Sequence, residues 1–525
     1  MELSHDIWHE ITDLLAGQSD KRTLFTLVLV SRTLSIIALP ALWRDFSSLK
    51  EIVFTINSFA PEDDHFIRFH LPDESNGETP DGRWVSSNVD IKPRYLSRAC
   101  TVLQDLTHRI PERARIRMSE YLSYVRSYVH DPDPDEEGWD EDKDLWPLLP
   151  VWLGLDGTLF PHLQHLSIHL FGGYRTEALL SLLCPSIDDL NIEFDEGSVE
   201  PETISTILDA VVNVGCDLRR LQFNGQICPS PLISTPSAFK NLRHLEIVIN
   251  ISESLELSSR VSIVDLLSSL PSLNYFYCDT EAYIMPLPGS DVIFHDSLKE
   301  LDVYGTAFEI ETLLLGFRFP FLVGLELLTR QGTPPQLKQL HETITSRSPM
   351  IRRYMLLCNH LDPNPPTLTD LIPLFNLALE SVICRISEAF TALDMEALVK
   401  GFPNLQKLTL LTPTHFCAAE FYTILSQHPR LEDIAIPVDL QDLLSPSALD
   451  DTTIPPPSHS PSKSCMWSLR LDSAKNLPSG APQLEILVKN LLKLFPRLSK
   501  VFAMYNPAAA KEMERIILAL KTDVV

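Results

Sequence analysis

Leu298-Lys299-Glu300-Leu301-Asp302-Val303-Tyr304 is the stretch on which the fold turns. Its first, fourth and sixth positions are apolar, and Glu300, Asp302 and Tyr304 alternate with them. Along a strand successive side chains point to opposite faces, so Leu301 and Val303 enter a core while positions three, five and seven face away from it. Allowing other apolar residues, the same phrase begins at Leu163, Ile187, Leu218, Leu242, Leu273, Leu298, Leu322, Ile351, Leu379, Leu405, Leu431, Met466 and Leu498. These starts lie 24 to 35 residues apart, room for one strand and one return segment each.

The return segments include helix-like runs over Thr203–Val212, Glu309–Leu315, Ala389–Leu398 and Ala418–Leu425. Proline precedes several strands, as in Phe160-Pro161, Phe319-Pro320, Phe402-Pro403 and Phe495-Pro496, where it stops the preceding helix. The period overlaps and exceeds the leucine-rich-repeat range of roughly 20 to 29 residues. The expectation is an α/β chain: a short N-terminal helical unit, then over residues 145–525 a leucine-rich-repeat-like horseshoe solenoid with parallel strands inside and helices outside. A helix over 507–521 would close the last layer.

Composition agrees with stacked apolar layers. The 525 residues hold 84 Leu against 18 Gly, which disfavours glycine-dependent phosphate loops. With 43 Lys+Arg against 70 Asp+Glu the net charge is −27, which argues against nucleic acid and membrane surfaces as partners. Nine cysteines without a Cys-x-x-Cys pair suit neither a disulfide framework nor a zinc knuckle. Asp6, Glu10 and Asp13 stand where a signal peptide would be basic and then apolar, and Leu24–Trp43 is interrupted too early for a membrane span. An intracellular chain, cytoplasmic or nuclear, is expected.

Three stretches break the array: polar residues 61–82, residues 131–144 with nine acids in fourteen positions, and the proline-rich insertion 445–464. Residues 47–130 are read as degenerate first repeats. At the N-terminus Ser4 and then Ser19 or Asp20 are candidate helix caps, and Ile7, Trp8, Ile11, Leu14 and Leu15 fall at helical spacing. Residues 1–46 hold more apolar surface than so short a unit can bury alone, which implies a neighbour.

Leu3-Ser4-His5-Asp6-Ile7-Trp8-His9-Glu10-Ile11, Leu24–Leu29, Val30-Ser31-Arg32 and Ala38-Leu39-Pro40-Ala41-Leu42-Trp43 together resemble an F-box of the fungal F-box/leucine-rich-repeat family. The family usually begins Leu-Pro, and Ser4 takes the proline's place; its usual Val-Cys-Arg is here Val-Ser-Arg. The resemblance implies that the helices dock a Skp-type adaptor, and through it a cullin and a RING subunit, while the repeats capture a protein target for ubiquitination. The docking residues it implies are Leu3, Ile7, Ile11, Leu14, Leu24, Leu27, Val30, Pro40, Leu42 and Trp43. The alternative is an interaction scaffold whose F-box-like unit only caps the solenoid.

Catalytic patterns are weak. His162, His165 and His169 straddle a strand whose rise separates the last two by about 13 Å, too far for one ion. His9-Glu10 and His341-Glu342 lack the second histidine of a zinc protease, and no phosphate loop or nucleophile elbow occurs. A non-catalytic adaptor without cofactor or metal is expected. The outward positions of the later strands are more informative. Tyr275, Tyr277, Glu300 and Tyr304 would form a directional rim, and Leu328, Met355, Leu357, Ile383 and Leu411 an apolar seat for a target, unless the 445–464 insertion covers it.

Overall fold

The computed structural model describes residues 5–18, 20–46, 52, 112–130, 148–155, 158–170, 179–194, 201–224, 232, 238–248, 260–287, 291–330, 332–358, 365–386, 390–412, 415–417, 420, 430–444, 468–471, 477–478, 480–495, 497–503 and 506–522. Residues 61–82, 131–144 and 445–464 lie outside this set, as do Leu3, Ser4 and most of the expected helix at 418–425. The chain divides into two compact units, Met1–Ser254 and Leu255–Val525.

The first unit opens with three helices: α1 (His5–Gly17), α2 (Lys21–Val30) and α3 (Arg32–Trp43). The second begins where Asp20 Oδ1 accepts from the Thr23 amide at 3.0 Å, and the third where Ser31 Oγ accepts from the Leu34 amide at 3.2 Å. Such caps satisfy amides that the first helical turn leaves open. Ala16, Leu24, Ala38 and Ala41 form the small core between the helices, with Leu15, Leu27, Val28 and Leu42 packed against it.

The strands of this unit follow in sequence order: β1 (Asp45–Phe46), β2 (Ser127–His130), β3 (His165–Leu170), β4 (Asp189–Phe194), β5 (Arg220–Asn224) and β6 (His244–Val248), every neighbouring pair parallel. Helix α4 (Glu112–Leu122) precedes β2, and α5 (Pro201–Val214) follows β4. The second unit continues the scheme with β7 (Tyr275–Asp279), β8 (Glu300–Gly305), β9 (Gly324–Thr329), β10 (Arg353–Cys358), β11 (Ser381–Arg385), β12 (Lys407–Leu411), β13 (Asp433–Ala435), β14 (Ser468–Arg470) and β15 (Lys500–Phe502), again all parallel. Its main helices are α6 (Ala307–Gly316), α7 (Pro334–Arg347), α8 (Ala392–Gly401), α9 (Ala481–Leu494) and α10 (Pro507–Thr522).

All thirteen expected strands are present, each starting two residues after the first apolar residue of its phrase. Burial explains the phase. Leu298, Leu301 and Val303, like Leu322, Leu325 and Leu327, are almost fully buried, and fully burying such side chains is worth about 1.5–3 kcal/mol each. Consecutive layers share one backbone contact: the Lys299 carbonyl accepts the amides of Val323 and Gly324, the Val323 carbonyl those of Arg352 and Arg353, and the Arg352 carbonyl those of Glu380 and Ser381. The repeats are therefore welded through backbone as well as through leucines. At the end, α10 buries Met513, Ile516 and Ile517, and the Glu514 side chain accepts the Val501 amide of β15 at 3.2 Å.

Two further repeats precede the thirteen. Val125, Tyr128 and His130 occupy the apolar positions of a phrase whose strand, β2, starts on schedule. Trp43 and Phe46 do the same for β1, and the Arg44 carbonyl accepts the amides of Arg126 at 2.8 Å and Ser127 at 3.0 Å, the weld seen elsewhere. The array thus begins inside the segment expected to be a separate helical domain. Trp43 stacks on Phe46 with ring centroids 5.5 Å apart and on Tyr121 of α4 at 5.0 Å.

Candidate functional site

The structure sorts the expected docking residues into two groups. Leu24 is 1% exposed and Trp43 9%, so both serve the chain's own packing, contrary to their assignment to an adaptor; Leu27 and Leu42 are half-buried against the helical core. Pro40 sits half-buried inside α3. Ile7, Ile11 and Leu14 lie on one face of α1 by their spacing, with Ile7 and Leu14 exposed and Ile11 intermediate. Val30 is exposed at the end of α2, together with Phe25 and Leu29, which the sequence reading did not single out. Leu3 lies outside the described residues.

The expected target-binding residues fall on one sheet face of the second unit. In register, one row runs Tyr275, Glu300, Gly324, Arg353, Ser381, Lys407; the next runs Tyr277, Asp302, Glu326, Met355, Ile383, Thr409. A third row contains Asp279, Tyr304, Leu328 and Leu357, and Leu411 pairs with Arg385. Leu411 is exposed and the other eight target residues are half-buried, as a one-sided sheet requires. Neighbours in a row stand about 5 Å apart, so rim and seat are contiguous.

Hydrogen bonds give this face its directions. Tyr275 Oη donates to Asp302 Oδ2 at 2.6 Å. Arg353 Nη2 reaches Glu300 Oε1 at 2.7 Å across Gly324, which has no side chain to separate them. Burial, and after it the Asp302 charge, raises the Glu326 carboxyl above the usual carboxylate range.

At the edge of the face lies a junction that sequence reading missed. Arg330 Nη2 donates to both carboxylate oxygens of Asp279, at 3.1 and 3.0 Å, and Arg330 also pairs with Glu281. Its guanidinium rests 4.2 Å from the centre of the Tyr304 ring. The Asp279 carboxyl is raised to about 6, because burial outweighs the nearby guanidinium. The partners are 51 residues apart, and only their common position at the strand ends joins them.

His341 and His165 make contacts within the fold. Nδ1 of His341 donates to the Asp370 carbonyl at 2.6 Å, so Nε2 accepts from Tyr354 Oη at 2.7 Å, and burial lowers this histidine to about 4. His165 pairs with Asp189 at 3.0 Å. Among the described residues no group of three or more His, Cys, Asp or Glu is arranged to hold a metal ion, and no helix is long and apolar enough to cross a membrane.

No family model matches the sequence, and no curated protein matches it. Among solved structures, the chain is similar to a protein from Bacteroides fragilis at 14% identity and a TM-score of 0.29, over 55% of this chain and 76% of the other. It is similar to the leucine-rich repeat-containing protein LegL7 from Legionella pneumophila at 14% identity and a TM-score of 0.31, over 56% and 87%. The plant peptide hormone receptor RGFR1, solved in complex with RGF2, gives 14% identity and a TM-score of 0.22 over 70% of this chain and 61% of its own. Superpositions this loose carry no argument, and the repeat architecture stands on the parallel register and layered leucines of the chain itself.

Proposed function

We propose that this chain is the target receptor of a Skp-cullin-F-box ubiquitin ligase, with α1 and α2 docking a Skp-type adaptor and the face of β7–β12 holding a protein target. The observation that carries the reading is the apolar surface left on a helical unit whose core is already closed: Leu14 is 63% exposed, Leu29 70% and Val30 65%, while Leu24 and Ala38 are buried. Apolar side chains gathered this way favour a cover. Coupling of this kind needs no reactive group, since holding a target near a charged ubiquitin carrier raises its effective concentration. Adaptor affinity would come from Ile7, Ile11, Leu14 and Val30, and target affinity from the rim and seat.

Co-purification of the full chain with a Skp-type adaptor tests the reading, beside a Leu14→Asp, Val30→Asp variant. Both positions are exposed, so unfolding should be unchanged while adaptor is lost; a variant that keeps the adaptor, or a wild-type chain that never binds it, overturns the docking role. A scaffold capped by its helices is the second reading, favoured by Trp43 and Phe46 sealing the first layer. It expects wild type and variant to be indistinguishable.

A further inference from the structure

The charged outward positions of β8–β12 are sorted by sign, with the Asp279–Arg330 pair at the edge beside them. The outward positions of β8 and β9 carry Glu300, Asp302 and Glu326 and no base, whereas those of β10–β12 carry Arg353, Arg385 and Lys407 and no acid. Glu300 and Arg353 neutralise each other at the seam. Glu326 has no cationic partner among the described residues, and it stands beside Asp302 in its row. Between the two poles lie Leu328, Met355, Leu357 and Ile383.

We infer that the target segment captured here is itself dipolar, placing a basic side chain over Asp302 and Glu326, an aliphatic one on Met355, Leu357 and Ile383, and an acidic one at Arg385 and Lys407. This rests on the reading of the face as a target site and specifies the chemistry of that target. A wholly basic segment would meet repulsion at Arg385 and Lys407, and a wholly acidic one at Glu326. A purely apolar segment would desolvate both poles without pairing them. Three strand spacings of about 4.8 Å separate the poles, about 14 Å, which an extended segment crosses in about four residues. Side chains of alternate residues share a face, so Lys-Thr-Leu-Thr-Glu presents the lysine, leucine and glutamate together.

The test probes labelled full chain on dense arrays of peptides with that core, and with the cores Lys-Thr-Leu-Thr-Lys and Glu-Thr-Leu-Thr-Glu. Wild type should bind the dipolar core about tenfold above either unipolar core. Glu326→Lys should move the preference to the acidic core and Lys407→Glu to the basic one, and the double exchange should restore the dipolar core, with thermal unfolding of each variant recorded as a control on folding. Equal binding of all three cores, no binding of any, or a preference that the exchanges leave in place overturns the inference. Adaptor co-purification is read on the same samples: its loss with the polarity intact defeats ligase coupling alone, and its presence without the polarity defeats this inference alone.

Discussion

Across β3–β6 several ionisable side chains of the sheet face find partners within their own strand or one strand away, whereas the outward positions of β8–β12 separate into an acidic and a basic field with aliphatic residues between. His165 meets Asp189 at 3.0 Å, Arg220 lies 3.9 Å from the same carboxylate, His244 meets Glu246 at 3.5 Å, and Asn191 donates to Ser167 at 3.0 Å. On the face of the other unit Glu300 meets Arg353, Tyr275 donates to Asp302, and Asp279 at the edge is held by Arg330. The backbone and the buried leucines are alike in both. Because core and face alternate along each strand, the core positions specify the repeat and leave the other positions free to carry recognition. A face whose charges are already paired holds little in reserve for a partner, and on the sorted face Glu326 and Lys407 have no ion pair among the described residues.

Equality of the two cores is the first point at which the comparison could break. Leu190 of β4 and Leu325 of β9 occupy the same place in their phrases and are 0% and 2% exposed. Leu→Ala at either should cost about 2–5 kcal/mol. Denaturant unfolding of the two variants checks this, and a difference much larger than that range would mean the layers are not equivalent. Next in size is the contrast between faces. Leu357→Asn with Ile383→Asn should weaken capture of a bound target by about tenfold or more, since polar atoms would be buried in an apolar seat. Asn191→Ser on the other face should leave capture unchanged in the same assay.

Asp279 sharpens the contrast through pH. Its carboxyl is raised from 3.8 to about 6, so the folded chain holds this proton more tightly than the unfolded chain does. The stability it contributes is fully present below about 3.8 and is lost as pH rises through about 6. His341 acts in the opposite sense: lowered from 6.5 to about 4, it favours folding above 6.5 and loses that contribution as pH falls towards 4. Comparing wild type with Asp279→Asn between pH 4 and 7 removes the histidine from the difference. Wild type should lose stability relative to the variant as pH rises; a flat difference would mean that the Arg330 contact offsets the burial of the carboxyl.

How far the sequence was legible depended on periodicity. Thirteen strands could be read because each phrase repeats an apolar first, fourth and sixth residue, and the face residues followed from the same alternation. Trp43 was hidden because the resemblance assigned it to docking, although Trp43-x-x-Phe46 begins the same phrase. The Val125 phrase could be read only as a degenerate repeat within 47–130, because its sixth residue is His130, a polar side chain that is nevertheless buried. Exposure could not be read for Leu24 and Val30, since both are apolar residues of one short helix and only packing against α3 separates them. The junction of Arg330 with Asp279 was out of reach for another reason: it joins residues two strands apart at the sheet edge, and no local pattern links them.

The smallest expected effect lies on the paired face. Asp189→Asn removes the carboxylate charge shared by His165 and Arg220, and the side chains of this group are 28 to 46% exposed. Partly exposed ion pairs contribute about 0–1 kcal/mol, because water already solvates both charges and ordering the long side chains costs entropy. The substitution should therefore shift unfolding by less than about 1 kcal/mol and leave target capture unchanged, the shift shrinking as salt is added. Loss of capture in Asp189→Asn would place target contacts on this face as well, and the distinction between a self-satisfied surface and a partner-facing one would then fail at the residue on which it most depends.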